Sequence, residues 1–406
     1  MADNVIPTPS APPSKESTLY LGVAVATTLG HAATLTLPFE IGAMVDGLKL
    51  DVGSAGLLAS AEFVPYTAVQ FLLAPYGARL PLRLVATLGT LIIVGASLMS
   101  AATQNLPLFI LARIATGLGF GLVYAIASIA GVRARSPERA YGLGLGSTTV
   151  AYAILLFALP RGATVTTLLP NVLHAHSGVF IVVAGFALFL LPLMRTIPSA
   201  PTGALFKSPT IVPRTIAVRP ALLAIVVVTL FSVAVRCVFT YLERKGRSLG
   251  IDAATIGTFM SIIYVVTGLS GSGGAAILGR RWGITPPLVV GLVLVGFACL
   301  GTAIAASSVE LWCATAASWI IWFFLYGYLI GLGAALDKYG RLATVLGAMY
   351  LSAQIVAAPI GGFLLDLGGF KSIGWLALLL CNAAAIGAWM LRKSIDHPRA
   401  ALATTK

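Results

Sequence analysis

The 406-residue chain reads as an all-α integral membrane protein with twelve transmembrane helices in two six-helix pseudo-repeats, and three observations carry that reading. It is 58% hydrophobic and only 10% charged, with a mean hydropathy of +0.96, whereas a soluble domain carries about 25% charged residues. Apolar runs of roughly 20 residues, long enough to cross about 30 Å of hydrocarbon as helices, recur about twelve times and fill nearly the whole chain. The chain also repeats itself. Asp51 to Ser60 (DVGSAGLLAS) matches Asp252 to Ser261 (DAATIGTFMS) at an offset of 201 residues, and the same offset carries Arg79 onto Arg280 and Gly146 onto Gly347.

Taken in order, residues 1–18 are rich in Pro, Ser and Thr and too polar to pack, which predicts a disordered cytoplasmic tail. They lack the basic start, short apolar core and small-residue cut site of a secretory signal. The apolar runs of a first bundle (19–195) fall near 19–42, 53–75, 84–102, 107–131, 141–160 and 176–195. A linker at 196–218 leads to a second bundle (219–391), with runs near 219–241, 253–278, 285–306, 309–334, 343–365 and 372–391 and a tail at 392–406. Asp51 and Asp252 each stand where a carboxylate can cap a helix start by accepting from free backbone amides. In the fourth run, Gly117, Gly119 and Gly121 remove side-chain bulk so that another helix backbone can approach, which is how helices associate in lipid. The run Gly268 to Gly274 (GLSGSGG) suits the same close contact. No Lys-Ser/Thr follows it to complete a phosphate loop, and no nucleotide-binding motif occurs elsewhere in the sequence. No segment is left for a soluble catalytic domain, so neither an enzyme nor a cofactor is expected.

If both termini are cytoplasmic, 18 of the 26 Lys and Arg lie on inner segments and 6 on outer ones, while Arg113 and Arg236 fall inside helices. That bias follows the positive-inside rule and suits an even number of crossings in a bacterial inner membrane. The net charge of +13 is spread over loops rather than gathered on one face, which argues against a nucleic-acid partner. Cys237, Cys299, Cys313 and Cys381 lie in predicted helices without paired or metal-type spacing, so no disulfide and no metal site is expected. His174 and His176, two apart in an outer loop, add no metal signal.

Ionisable groups inside a bilayer are costly unless solvated or paired, so each needs a reason. His31, midway along the first helix, is either a neutral histidine bonded to a neighbouring helix or a proton carrier, a task its ordinary pKa near 6.5 suits. Glu62, halfway along the second helix, is a structural acceptor or a carboxyl that takes and releases a proton. Glu40 lies nearer the outer end of the first helix, where it reaches water or joins the proton route. Arg236, in FSVAVRCVFTYLERKGR, presents a fork that can hold a carboxylate through two hydrogen bonds; otherwise it snorkels to the outer interface with Glu243 as partner. Trp319, Trp322, Phe323 and Tyr326 fall on one face of the tenth helix, turned to lipid or core, or lining a cavity for a planar apolar ligand.

The order Arg113, Gly117, Gly119, Gly121 resembles the fourth-helix motif of the major facilitator superfamily, a large family of twelve-helix secondary transporters. The segment Ala74 to Arg83 (APYGARLPLR) keeps Arg79 and Arg83 of the family's loop between helices two and three but has no Asp. Its second copy, Gly273 to Gly283 (GGAAILGRRWG), keeps Arg280 and Arg281, also without the acid, so the family's charged latch is incomplete. The fifth run lacks the Gly-Pro-Gly-Gly cluster of the family's drug/proton antiporters, while the eleventh has Ala358, Pro359, Gly361 and Gly362. The resemblance covers nearly the whole chain and implies substrate binding near the membrane midplane between two bundles. It implies for Arg113 a part in proton coupling or in holding charge across the first half, against a plain salt bridge with Glu40 or Glu62. It also implies that Tyr66, Tyr264 and Gln354 converge on the aromatic face of the tenth helix.

The expected function is secondary transport by alternating access: proton-coupled uptake of a small organic anion such as an aromatic carboxylate. Arg236 and the aromatic residues hold the anion, and His31 or Glu62, with Glu40 and Arg113, handle the proton. Proton-driven efflux of hydrophobic compounds is the alternative within transport, and a non-transporting receptor or scaffold the alternative outside it. The expected partners are a small-molecule substrate, protons and the lipid bilayer, with the chain acting as a monomer.

Overall fold

A computed structural model describes residues 13–73, 76, 80–132, 137–168, 173–199, 218–279, 281–337 and 341–396. Most of the linker and the tails lie outside these residues, as do Arg79, Arg133, Arg135, Lys207, Arg214, Arg280, Lys338, Arg399 and Lys406 among the charges used for orientation. The first half comprises α1 (Pro13–Leu48), α2 (Val52–Leu73), α3 (Leu82–Ala102), α4 (Leu106–Val132), α5 (Pro137–Ala158), the short α6 (Ala163–Leu168) and α7 (Ser177–Leu190). The second comprises α8 (Val218–Thr240), the short α9 (Leu242–Ser248), α10 (Ala253–Leu278), α11 (Thr285–Ile304), α12 (Ser308–Leu336), α13 (Arg341–Met390) and a last turn, α14 (Arg392–Asp396). No strand occurs among the described residues.

Among the described residues, eleven helices are long and apolar enough to cross a membrane. The last holds two crossings: Gly369 in α13 takes φ 67°, a conformation that costs glycine little, and breaks the helix into segments 341–368 and 370–390. Twelve crossings result. Side chains such as Phe189, Ile277 and Leu367 point outward from them, exposed as only a hydrocarbon surround accommodates.

Two helix ends differ from the sequence reading. α1 begins at Pro13, inside the segment expected to be tail, and continues to Leu48, beyond the expected end at 42. An apolar run marks only the part of a helix in hydrocarbon, and nothing in GAMVDGL stops the helix where the membrane ends.

The repeat is visible in the caps. Asp51 Oδ1 accepts from the Ser54 amide at 2.8 Å and its Oδ2 from the Ser54 hydroxyl at 2.6 Å. Asp252 does the same to Thr255, at 2.9 and 2.6 Å. These hydrogen bonds hold both carboxyls below their ordinary range.

Glycines set the spacing in the first bundle. A Cβ on Gly117 would overlap the Glu62 carbonyl oxygen of α2, and one on Gly121 would lie 2.5 Å from the Tyr66 carbonyl, also on α2. Gly119 turns the other way, where its Cβ would come 2.7 Å from the Gly89 carbonyl of α3. α4 is thus clasped between two backbones. Gly271 of α10 plays the same part against Ile320 of α12.

The halves meet reciprocally, α2 against the first segment of α13 and α5 against α10, so that each bundle's second crossing packs on the other's fifth. Polar bonds across this seam gather at the face expected to be external. The Gly53 amide donates to Asp366 Oδ2 at 2.8 Å, Ser60 Oγ to the Ile355 carbonyl at 2.5 Å, and Arg161 Nη2 to Thr258 Oγ1 at 2.9 Å. α9 lies on this face beyond the crossings, where Arg244 and Arg247 reach Asp46 at 2.7 and 3.6 Å. The seam is therefore sealed on that side.

Candidate functional site

Below that seal, near the middle of the crossing helices, the halves part around a cavity of about 590 Å³. α1 contributes His31, Thr34 and Leu35, and α5 contributes Thr148, Thr149 and Tyr152. Opposite them stand Arg236 and Phe239 of α8, Tyr264 of α10, Tyr350 of α13 and the four α12 aromatics Trp319, Trp322, Phe323 and Tyr326. Gly268 and Gly273 of α10 also line it. The volume lies within the roughly 300–1,000 Å³ usual for small-molecule sites.

Arg236 is only 8% exposed. Its Nη1 donates to Gln354 Oε1 at 2.9 Å, and Gln354 Nε2 donates in turn to Thr240 Oγ1 at 3.0 Å. The guanidinium lies 4.7 Å from the centre of the Tyr350 ring, and its Nε has no hydrogen-bond partner. A buried donor left open in this way is costly unless something accepts from it. Arg236 therefore does not snorkel to Glu243; it is held from behind by Gln354 and faces the cavity. Gln354 sits behind the arginine rather than on the wall.

The aromatic face of α12 turns inward rather than to lipid. Tyr264 meets Trp319 and Phe323 edge-on, with ring centres 5.7 and 5.3 Å apart, and Trp322 packs on Phe323 at 4.5 Å. Tyr66 departs from expectation: it is buried in the first bundle, edge-on to Phe63 and stacked 6.1 Å from Tyr124, and does not line the cavity. Its face of α2 is turned to α4, as the Gly121 contact shows. Tyr350 and Tyr152 are wall residues that the sequence reading missed. Tyr350 lies four residues before Gln354 on α13, so one helical face carries both groups that touch Arg236.

His31 lies in the cavity wall. Its Nδ1 is 3.3 Å from the Thr27 carbonyl and its ring packs edge-on against Tyr124 at 4.5 Å. Glu40, Glu62 and Arg113 lie elsewhere, sealed inside the first bundle. Arg113 Nη1 is 3.6 Å from Glu40 Oε2 and 3.5 Å from Glu62 Oε2. Its Nη2 donates to Ser100 Oγ at 2.7 Å and to Thr116 Oγ1 at 3.0 Å, and its guanidinium lies 4.5 Å from the centre of Phe180. Both salt bridges anticipated for Arg113 thus form. Glu40 does not reach water: it is fully buried, because the extension of α1 to Leu48 carries the helix end two turns beyond it. His174 and His176 stack with ring centres 5.5 Å apart, and the described residues form no cluster of His, Cys, Asp and Glu able to hold a metal.

Two helical bundles related by a repeat, with a ligand-sized cavity at their seam, have the architecture of a secondary transporter. The chain belongs to the Major Facilitator Superfamily, whose family model matches residues 20–336. Its fold is similar to that of a D-xylose-proton symporter, at a TM-score of 0.70 and 16% identity, over 92% of this chain and 97% of that one. It is similar also to the nucleoside transporter NupG, at 0.68 and 13%, over 93% and 99%. Against the xylose transporter XylE from E. coli in a partially occluded inward-open conformation, the values are 0.68 and 13%, over 92% and 98%. No curated protein matches the sequence.

Proposed function

We propose that this transporter imports a small organic anion with an aromatic body, coupled to protons, with both termini on the cytoplasmic side of a bacterial inner membrane. The observation that carries this reading is the charge of the cavity: among the described residues Arg236 is the one Lys or Arg in its wall, its Nε has no hydrogen-bond partner, and no carboxylate lines the cavity. A planar anion fits between Tyr264, Trp319 and Phe323 while its carboxylate takes the open edge of the guanidinium. The proton is assigned to the Arg113 cluster. Two carboxyls share one guanidinium, so the cluster carries one net negative charge in a dehydrated bundle until one proton binds, and both Glu40 oxygens and Glu62 Oε1 lack a hydrogen-bond donor. Proton symport is the activity named for the D-xylose relative, and the same coupling is adopted here.

The test is thermal stability of the purified carrier against benzoate-type carboxylates and lipophilic cations at two pH values. Ligands that bind only the folded state raise it by mass action, about 2.7 kcal/mol at a hundredfold excess over Kd. Carboxylates are expected to stabilise the wild type and not Arg236→Ala. Stabilisation by cations alone would replace this reading with proton-driven efflux.

A further inference from the structure

Three groups of the cavity's first-half wall and the arginine opposite them differ in hydrogen-bond polarity. On the first-half wall, three polar groups spend their hydrogens on their own half's backbone: Thr34 Oγ1 donates to the His31 carbonyl at 2.9 Å, and the Tyr152 hydroxyl to the Thr28 carbonyl at 3.2 Å. His31 Nδ1 faces the Thr27 carbonyl at 3.3 Å. A carbonyl only accepts, so Nδ1 carries the proton and Nε2 is left with its lone pair. All three therefore offer acceptors to the cavity. Opposite them on the second-half wall stands the Arg236 guanidinium, which can only donate.

Resting on the anion reading above, we infer that the substrate is an aromatic carboxylate bearing a hydrogen-bond donor at the end remote from the carboxylate. The carboxylate docks on Arg236, the ring lies among Tyr264, Trp319 and Phe323, and a hydroxyl or N–H at the far end donates to the acceptors around His31, Thr34 and Tyr152. A ligand ending in a bare ring or an acceptor leaves those lone pairs desolvated without a donor, the arrangement by which a polar site rejects an analogue. The ligand also bridges the halves, so its binding ties α1 and α5 to α8 and α12.

The experiment is calorimetric titration of the purified full chain at one neutral pH with benzoate, meta- and para-hydroxybenzoate, and the matching methoxybenzoates, which accept but cannot donate. A hydroxybenzoate is expected to bind roughly two- to tenfold more tightly than its methoxy counterpart, the scale of one hydrogen bond's net worth. His31→Phe, which keeps a ring against Tyr124 but removes the acceptor, should shrink that preference. Equal binding of hydroxy and methoxy ligands would overturn the donor assignment while leaving the anion reading intact, and an undiminished preference in His31→Phe would overturn the placement at His31. Failure of every benzoate to bind would remove the anion reading itself.

Discussion

At the scale of single residues, the two membrane-buried arginines have different partners, and on the proposed reading one binds substrate while the other couples the proton. Arg236 works on the cavity wall; Arg113 works behind it, with two carboxyls. Glu62→Gln keeps the side-chain volume and removes one ionisable group, so the remaining Glu40–Arg113 pair is neutral without a proton. Uptake driven by a pH gradient is expected to fall to background in this variant, whereas exchange of labelled for unlabelled substrate at equal pH persists. Gradient-driven accumulation at wild-type level would move the proton to another site, with His31 next in line. Arg113, Glu62, Arg236 and the Trp319–Tyr326 face stood out in the sequence because charges and clustered aromatic rings are conspicuous in apolar runs. Tyr350 and Tyr152 did not stand out, since a tyrosine reads the same whether it faces a cavity, a core or a headgroup. The polarity of the wall was equally hidden: whether His31 offers an acceptor depends on where its Nδ1 proton goes, which only the fold decides.

At the scale of helices, backbone spacing around α4 is set by where side chains are missing. Gly117 meets the Glu62 carbonyl so closely that any Cβ must push α2 away, and with it the Glu62 carboxyl from Arg113. Gly117→Ala is expected to cost about 1–3 kcal/mol, as overpacking does, and to lower the melting temperature. Gly95, on the lipid-exposed side of α3, has nothing within 4 Å of an added Cβ. Gly95→Ala should leave the melting temperature unchanged or raise it, since alanine is favoured over glycine in a helix by up to about 1 kcal/mol. Equal effects at the two positions would show that the clasp on α4 does not govern stability. Gly117, Gly119, Gly121 and both aspartate caps were legible because their roles need only local pattern. The ends of α1 and the orientation of Tyr66 were not, because helical periodicity defines a face without saying which neighbour it meets.

At the scale of the whole molecule, the proposed transport cycle requires the seal on the face proposed to be external to open, and part of that seal titrates. Glu243 of α9 is 3% exposed, with Arg247 4.0 Å away and its Oε2 unpartnered against Gly42 of α1. Burial pushes its carboxyl up to about 7; Arg244 and Arg247 pull it down by less, and Asp46 pushes it up. A carboxyl raised by folding contributes stability that is complete below its ordinary value near 4.5 and is lost as pH rises through about 7. The sealed state is therefore expected to weaken between those values, by roughly 3 kcal/mol at most. Nearby His176 works in the opposite sense. Burial pushes its pKa down, outweighing the bonds to the Thr103 and Ser100 carbonyls that raise it, so its contribution grows as pH rises toward the ordinary histidine value and is complete above it. Glu243→Gln isolates the first effect. The difference between its melting curve and the wild type's should grow from pH 5 to about pH 7 in the variant's favour and level off above that. A flat difference across that range would mean that Glu243 is ionised in the sealed state, and the lock would then rest on Asp46 with Arg244 and Arg247 alone, sensitive to salt rather than to protons.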